Sequence, residues 1–230
     1  MTVERTTGVL LIVLPVAFNV FFFLLGRMFG YPGILREPTA EILQRFEAGG
    51  TRLRLVWHGL MLTAVLLAPV AILVGEVLAP DDRAIVPVAT GFGVLAAAVQ
   101  FLGLIRWPYL VPYLARTYTD PGATEATRNA VEVTFQSFHR ILGVAIGEHL
   151  GYLFTGVWTV LIGIAMTDSS IFNGWLGWSG IVLGIALIIG SAEFAGPFED
   201  TGWKLAGMLV PIAYLLWSLW LIAAGVTLLI

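Results

Sequence analysis

Cysteine is missing from this sequence of 230 residues, and charged residues make up only 12% of it. The lack of cysteine excludes disulfides, thiolate metal sites and iron–sulfur clusters. Soluble domains have about 25% charged residues, so the low charge indicates that water is not the main solvent of this chain. The net charge of −3, with no basic patch interleaved with aromatics, argues against nucleic acid as a partner.

Hydrophobic residues make up 58% of the sequence and are gathered in long runs. A helix needs about 20 apolar residues to cross the hydrocarbon core of a bilayer, and several of the runs are that long. We therefore predict one integral membrane domain over residues 1–230, an all-α polytopic membrane protein with six transmembrane helices. The predicted spans are residues 8–27, 53–78, 84–105, 139–167, 174–193 and 203–229.

A short amphipathic helix is predicted after the first span, from Pro38 to Ala48. Ile42, Leu43 and Phe46 fall on one face of this segment, and polar residues lie largely on the other. This pattern is typical of a helix that lies in the membrane interface.

The segments that leave the second and third spans carry their own signals. Pro80–Asp82 predicts a tight exit from the second span. Pro108 and Pro112 predict a break in the helix after the third span. An interfacial belt of aromatics and a cation is predicted around these prolines, formed by Arg106, Trp107, Tyr109 and Tyr113.

Lysine and arginine are shared unevenly between the two sides of the predicted membrane. Only Arg5 and Arg83 fall on one side. The other ten belong to the opposite side, and they are Arg27, Arg36, Arg45, Arg52, Arg54, Arg106, Arg116, Arg128, Arg140 and Lys204. Because cytoplasmic loops carry the excess of basic residues, we predict that both termini lie outside the cell.

Glu148 and His149 lie side by side within the predicted fourth span. An ionisable residue at membrane depth normally faces a partner, the bundle interior or a cavity. The predicted topology places the other polar residues of the spans in the same cytoplasmic half, and we therefore predict a polar pocket there. Its candidate ligand-binding residues are Glu148, His149, His58, Gln100, Asn19, His139 and Glu193.

Glu148 has two interpretations. In the structural one, its carboxyl pairs with Asn19, Gln100 or His58, because buried polar groups hold membrane helices together. In the functional one, it serves a ligand, a proton or a metal. Asn19 is itself expected to bond across to another helix.

Gly143, Gly147 and Gly151 recur at every fourth residue of the fourth span. Small residues at this spacing let helix backbones approach closely in lipid. The first interpretation is packing inside the bundle, with Gly180 and Gly184 of the fifth span as the natural partners. A homodimer seam is the alternative.

No cofactor is predicted with confidence from these residues, but two alternatives to a binding protein stay open. Haem b in a membrane protein takes axial histidines from two facing helices, and His58 and His149 are the candidates for a haem- or metal-binding redox protein. The metal itself stays unknown, because the spacing matches no ligand signature. The third alternative is a proton-coupled transporter that uses Glu148.

Three stretches carry a family resemblance. They are ILREPTAEILQRFEAGGTRLRLVW after the first span, LIRWPYLVPYLARTYTDP after the third, and VTFQSFHRILGVAIGEHLGYLFTGVWTVL in the fourth. With the length and the six predicted spans, they resemble the bacterial membrane proteins grouped as domain of unknown function 4386, over most of the chain from about Gly8. The resemblance implies this fold and a bacterial inner membrane location, and it implies no reaction and no catalytic residues.

We therefore expect a binding or accessory membrane protein rather than an enzyme. Its pocket would hold a lipid-like or other small amphiphilic ligand, or the protein would support a membrane complex. The lack of a soluble domain and of any catalytic set of residues in the sequence motivates this expectation.

Overall fold

The computed structural model describes residues 2–81 and 83–230, and no strand occurs in this part of the chain. The all-α prediction is therefore confirmed. Asp82, which belongs to the predicted exit from the second span, lies outside the described residues. The helices are α1 (Val3–Phe29), α2 (Thr39–Ala48), α3 (Gly50–Leu78), α4 (Ile85–Leu104), α5 (Arg106–Tyr109), α6 (Val111–Thr119), α7 (Glu125–Phe138), α8 (Gly151–Met166), α9 (Gly174–Gly190) and α10 (Lys204–Thr227).

A π-helical segment, His139–Leu150, joins α7 to α8 without a break, so that helical structure runs from Glu125 to Met166. The backbone hydrogen bonds of a π-helix span five residues instead of four, and π-helical turns within α-helices occur frequently at functional sites. The segment contains both Glu148 and His149.

Five helical stretches of the described chain are long and apolar enough to cross a membrane. They are Val3–Phe29, Gly50–Asp81, Ile85–Thr119, Glu125–Met166 and Lys204–Thr227. The remaining apolar helix, α9, has 17 residues and ends at Gly190 rather than at the predicted residue 193. It ends there because the N–H groups of Ala192 and Glu193 bond three residues back, which tightens the chain into turns. The membrane fold is confirmed, and the count of six spans stays a prediction.

The long helices contact one another in chain order and close into a ring. The contacts run from α1 to α3, α3 to α4, α4 to α8, α8 to α9, α9 to α10, and α10 back to α1. Gly8 and Gly225 allow the closing contact, because a Cβ atom on Gly8 would lie 2.9 Å from the Gly225 carbonyl oxygen.

Tryptophans fill the centre of the ring at one end, which we call the tryptophan core. Trp158 packs edge-on against Trp217 and Trp220. The indole N–H of Trp217 donates to Thr159 Oγ1 at 2.9 Å, and that of Trp220 donates to the Leu176 carbonyl at 2.8 Å. Bonding of the indole N–H removes the main cost of burying tryptophan in an apolar centre.

The opposite end of the ring, where α1 ends at Gly30 and the helices α2, α5 and α6 lie, is called the basic end here. Its core is a second aromatic cluster, in which the Trp57 and Trp107 rings stack at 4.3 Å. The buried face of α2 (Ile42, Leu43 and Phe46) packs into this cluster. The amphipathic helix is therefore present as predicted, but its apolar face is turned to the protein.

The predicted interfacial belt is wrong for Arg106 and Trp107. The helix breaks after Leu104, and both side chains turn inward, with exposed fractions of 6% and 1%. Tyr109 and Tyr113, on the other side of the short helices α5 and α6, are exposed as predicted. The break after α4 thus divides the four residues between the core and the surface.

Candidate functional site: the Glu148 cleft

Side chains on the inward faces of the ring are fully buried in most places but stay half-buried near the basic end. On α1, Phe18 and Phe22 are half-buried, although they share the inward face with buried Leu14 and Leu25. The opposite face of α1 holds exposed residues such as Val20. Exposure on an inward face indicates that space remains between the helices at this level.

Helices α4 and α10 show the same pattern. Tyr214 is half-buried between Val210 and Trp217, which lie on the same face of α10 and are buried. Gln100 is likewise half-buried beside Ala96 on α4. Phe18, Gln100 and Tyr214 line a common cavity. We call the region that holds this cavity, Tyr152 and Glu148 the Glu148 cleft.

Aromatic rings form a continuous wall of this cleft. Tyr152 meets Tyr214 edge-on at 5.4 Å, and Tyr214 stacks on Phe18 at 6.1 Å. Phe18 is followed by Phe22 at 5.9 Å, and Phe22 meets Tyr31 at 5.3 Å. The wall thus runs from α8 across α10 and α1 to the loop after α1.

Glu148 lies beside this wall, one turn before Tyr152 on the same helical face. Its side chain is half-buried, and no hydrogen bond or ion pair joins it to any residue in 2–81 or 83–230. Tyr31 and Tyr152 both lie within range of its charge. The described part of the cleft thus presents a carboxylate that no protein group holds.

Arg106 lies behind Glu148 and is enclosed by protein. Its guanidinium donates to the Gly103 carbonyl through Nη1, and Nη2 lies 3.3 Å from His139 Nδ1. Gly143 leaves the space that the guanidinium fills, since a Cβ atom there would collide with it. Arg106 acts on Glu148 by charge but forms no ion pair with it. The charge of Arg106 therefore offsets part of the charge of Glu148, but the guanidinium does not bond to the carboxylate.

Glu193 is a second carboxylate near Glu148, and it lies past the end of α9. Its side chain is half-buried, and its Oε1 atom lies against Gly207 of α10. Burial raises the pKa of this carboxyl, and the charge of Arg36 opposes part of the rise. Glu193 is close enough to Glu148 for the two charges to interact.

Asn19 and Gln100, two of the predicted pocket residues, are engaged with neighbouring helices. Asn19 Nδ2 donates to Ser218 Oγ on α10 at 2.9 Å, so the predicted bond from Asn19 to another helix is present. Gln100 Nε2 donates to Thr155 Oγ1 on α8 at 2.9 Å. Neither residue pairs with Glu148, which was the structural interpretation of that carboxyl.

A small cavity lies deeper in the ring than Glu148. Its volume is about 20 Å³, and Gln100, Thr63, Tyr214 and Trp217 contribute to its lining. This volume is close to that needed for one water molecule, and the lining supplies polar partners for it. The cleft thus ends between Glu148 and the tryptophan core.

The histidines contact separate elements. The His149 Nδ1 atom is 2.7 Å from the Ser191 carbonyl oxygen, whereas the His58 ring lies 6.2 Å from that of Tyr109. His139 stacks on Phe135 and contacts Arg106. Within the described ranges, no three His, Asp or Glu side chains come close enough to hold a metal ion. The haem or metal alternative for His58 and His149 stays a prediction.

The glycine repeat of the fourth span packs inside the bundle, but against α4. Gly147 faces the backbone of Gly103, and Gly151 faces the side chain of Gln100. The glycines of α9 have other neighbours, because Gly184 meets Gly156 and Gly180 meets Trp220. The repeat is therefore occupied by contacts within one chain, and the homodimer alternative stays a prediction.

Comparison with known proteins gives a family and no activity. The family model described as Domain of unknown function (DUF4386) matches residues 6–225. The chain belongs to this family. No curated protein and no solved structure matches the chain. Membership of the DUF4386 family accordingly agrees with the membrane fold and assigns no role to any residue of the cleft.

Sequence reasoning missed Arg106 and the aromatic wall as parts of the cleft. One member could have been found, because Tyr152 lies four residues after Glu148 and shares its helical face. Tyr31 and Tyr214 carried no comparable signal, because Tyr31 lies in the loop after α1 and Tyr214 reaches the cleft only through the closure of the ring. Arg106 was missed because the aromatics and prolines around it predicted a position in the membrane interface.

Proposed function

We propose that this protein is a membrane-embedded binding protein that holds a small amphiphilic ligand in the Glu148 cleft. The observation that carries the proposal is a carboxylate, unpaired among the described residues, beside a continuous wall of aromatic side chains. Such a site offers one polar anchor and a large apolar surface, which is the usual construction of a small-molecule pocket.

The position of the cleft supports a ligand that enters from the basic end of the ring. The tryptophan core fills the other end of the ring, so the cleft opens toward the basic end. In the proposed orientation the basic end faces the cytoplasm of a bacterial cell, because it carries the excess of arginine. A polar head at Glu148 and a tail along Phe18 and Phe22 would suit an amphiphile in this position.

The polar contacts of the cleft also support binding rather than chemistry. Catalysis by Glu148 would require a second group that shares its target, and Arg106 is enclosed while His149 is engaged with Ser191. The described part of the cleft thus offers an anchor and a wall but no nucleophile and base in contact.

The test is native mass spectrometry of the protein purified from its own host in a mild detergent. We expect the wild type to retain an amphiphile and Glu148→Gln to lose most of it. Glu125→Gln is the matched control, because Glu125 is exposed at the start of α7. Equal retention by all three proteins would contradict the proposal.

A further inference from the structure

We propose that a groove between α2 and α7 binds the head group of a zwitterionic phospholipid, one that carries a phosphate and a primary ammonium. The groove shares no lining residue with the cavity of the Glu148 cleft, so this inference goes beyond the proposed function and does not rest on it. Its volume of about 380 Å³ is within the usual size of a small-molecule site. Its lining residues are Thr39, Glu132, Val133, Gln136, Ser137 and Arg140.

The polar residues of the groove lie along one face of a helix. Glu132, Gln136 and Arg140 are spaced four residues apart, which places them on successive turns. Gln136 Nε2 donates to Thr39 Oγ1 at 2.7 Å, and this bond joins α7 to the start of α2. The groove therefore presents a carboxylate and a guanidinium two helical turns apart.

Arg140 lies at the level of the lipid head groups. The helical stretch Glu125–Met166 has 42 residues and is about 63 Å long at 1.5 Å per residue, whereas the hydrocarbon core of a bilayer is about 30 Å thick. About 20 residues are enough to cross that core, and counted back from Met166 they reach Gly147. Arg140 follows farther out and is 61% exposed, beside the exposed apolar side chain of Ile141. A cation at the edge of an apolar surface is placed to meet lipid phosphates.

Glu132 lies two turns farther from the membrane centre than Arg140. In a phospholipid of this class, the phosphate is joined to the glycerol and the ammonium is at the outer end of the head group. The charges of the groove, a cation followed by an anion away from the membrane, have the complementary order. An anionic head group would bind Arg140 alone and would bring no cation to Glu132.

The present partners of the two charges leave both of them available to a lipid. Arg140 pairs with Glu199, but the two side chains are 61% and 58% exposed. Exposed ion pairs contribute little, so a lipid phosphate, which accepts two guanidinium N–H groups at once, can take the place of Glu199. Glu132 accepts a hydrogen bond from the Tyr118 hydroxyl through Oε1 at 2.9 Å, which leaves Oε2 as an acceptor for the ammonium.

The carboxylate of Glu132 also distinguishes between two kinds of zwitterionic lipid. A primary ammonium donates hydrogen bonds, whereas a trimethylammonium has no N–H group to donate. Hydrogen bonds between charged groups are the stronger ones, so ethanolamine lipids should bind more tightly than choline lipids.

The experiment compares phosphatidylethanolamine, phosphatidylcholine and phosphatidylglycerol, each with two oleoyl chains. The full chain is freed of host lipid in dodecyl maltoside, and native mass spectrometry counts the lipid molecules that bind as each lipid is added. The dissociation constant of the first molecule follows from the titration. We expect the ethanolamine lipid to bind about tenfold more tightly than the other two, as expected for one charge-assisted contact.

Four variants assign the contacts. Arg140→Gln should weaken the binding of all three lipids by about tenfold, because each of them has a phosphate. Glu132→Gln keeps an acceptor for Tyr118 and should lower only the affinity for the ethanolamine lipid, to the level of the choline lipid. Glu199→Gln removes the competing carboxylate and should leave the affinity unchanged or higher, which separates the phosphate contact from the ion pair. Arg116→Gln is the control, because Arg116 is an exposed cation of α6 outside the groove.

Two further variants complete the test. Arg140→Lys keeps a cation and should retain part of the affinity, which shows that the effect of Arg140→Gln is not a failure to fold. Glu148→Gln should leave binding of the ethanolamine lipid unchanged. Equal affinities for the three lipids, or tighter binding of phosphatidylglycerol, would overturn the inference. If Glu148→Gln abolishes lipid binding while the variants at Arg140 and Glu132 do not change it, the lipid occupies the Glu148 cleft. The inference on the groove is then wrong, and the proposed function is supported.

Discussion

The guanidinium of Arg106 occupies the space that a side chain at position 143 would need. A Cβ atom on Gly143 would meet Nη1, Nη2 and Cζ of Arg106, which is buried and has little room to move. The lack of a side chain at Gly143 thus makes room for Arg106, and the guanidinium lies close enough to Glu148 to act on its charge.

Gly143→Ala should therefore destabilise the protein. Overpacking of a closed site costs about 1–3 kcal/mol, and displacement of Arg106 would also disturb its bond to Gly103. The measurement is the thermal unfolding midpoint in detergent. Gly33→Ala is the control, since nothing lies within 4 Å of its added Cβ. A Gly143→Ala protein as stable as the control would contradict the assigned role of Gly143.

The contact between α8 and α9 gives a second prediction. A Cβ atom on Gly156 would lie 2.6 Å from the Gly184 carbonyl oxygen, and the reverse distance is also 2.6 Å. Gly156→Ala should force the two backbones apart and cost about 1–3 kcal/mol in stability. Gly91→Ala lies in α4 with open space around it, and we expect it to be neutral or slightly stabilising. Denaturation of the two variants in the same detergent would decide the matter, and equal midpoints would refute the prediction.

The stack of Trp57 and Trp107 at the basic end gives a third prediction. Trp107 is 1% exposed and lies parallel to Trp57, with 6° between the rings. Trp107→Ala would leave a large cavity and should cost about 3–5 kcal/mol. Trp175→Ala removes a tryptophan that is 59% exposed, so it should change stability by less than about 0.5 kcal/mol. Unfolding followed by circular dichroism tests both variants, and similar losses would show that the stack is not a stabilising core.

Glu193 gives a prediction on pH. Because burial raises the pKa of this carboxyl in the folded protein, the folded state binds the proton more tightly than the unfolded state does. The stabilising contribution of protonated Glu193 is complete below the ordinary pKa of 4.5 and is lost as pH rises through the raised value. Glu193→Gln should remove this dependence, so its unfolding midpoint should fall less than that of the wild type above pH 4.5. The effect is expected to be small, since the carboxyl is only half-buried.

A pH series of unfolding midpoints for the wild type, Glu193→Gln and Glu125→Gln provides the test. Glu125→Gln is expected to follow the wild type. Parallel curves for the wild type and Glu193→Gln would mean that burial does not disfavour the charged form of Glu193.

The sequence could predict the elements of this fold better than their partners. Runs of apolar residues mark the long helices because the bilayer imposes a minimum length on each of them. The repeat Gly143, Gly147, Gly151 shows which face of the helix can be approached closely by another helix. It does not show which helix packs there, and in the structure that helix is α4. Asn19 was predictable as a bond between helices because a buried amide needs a partner. The identity of that partner, Ser218, was not predictable because it depends on the contact between α1 and α10.

The candidate site was predictable only in part, because some of its residues come together only in the assembled ring. Glu148 draws attention by its charge within an apolar helix, and its half of the bundle follows from counting residues along the spans. The inward turn of Arg106 depends on the break after α4, and a sequence pattern does not give the direction that a chain takes after such a break. Tyr214 comes from the last helix, and its place beside Tyr152 is a property of the assembled ring.

The order of contacts around the ring has a consequence for biosynthesis. Helices emerge from the ribosome one after another, and each long helix except the first can pair at once with its predecessor. The seam between α1 and α10 is the exception, because it joins the ends of the chain and cannot form until the last helix has been inserted. Until then Phe18 has no Tyr214 beside it, so the wall of the Glu148 cleft is the last part of the protein to be built.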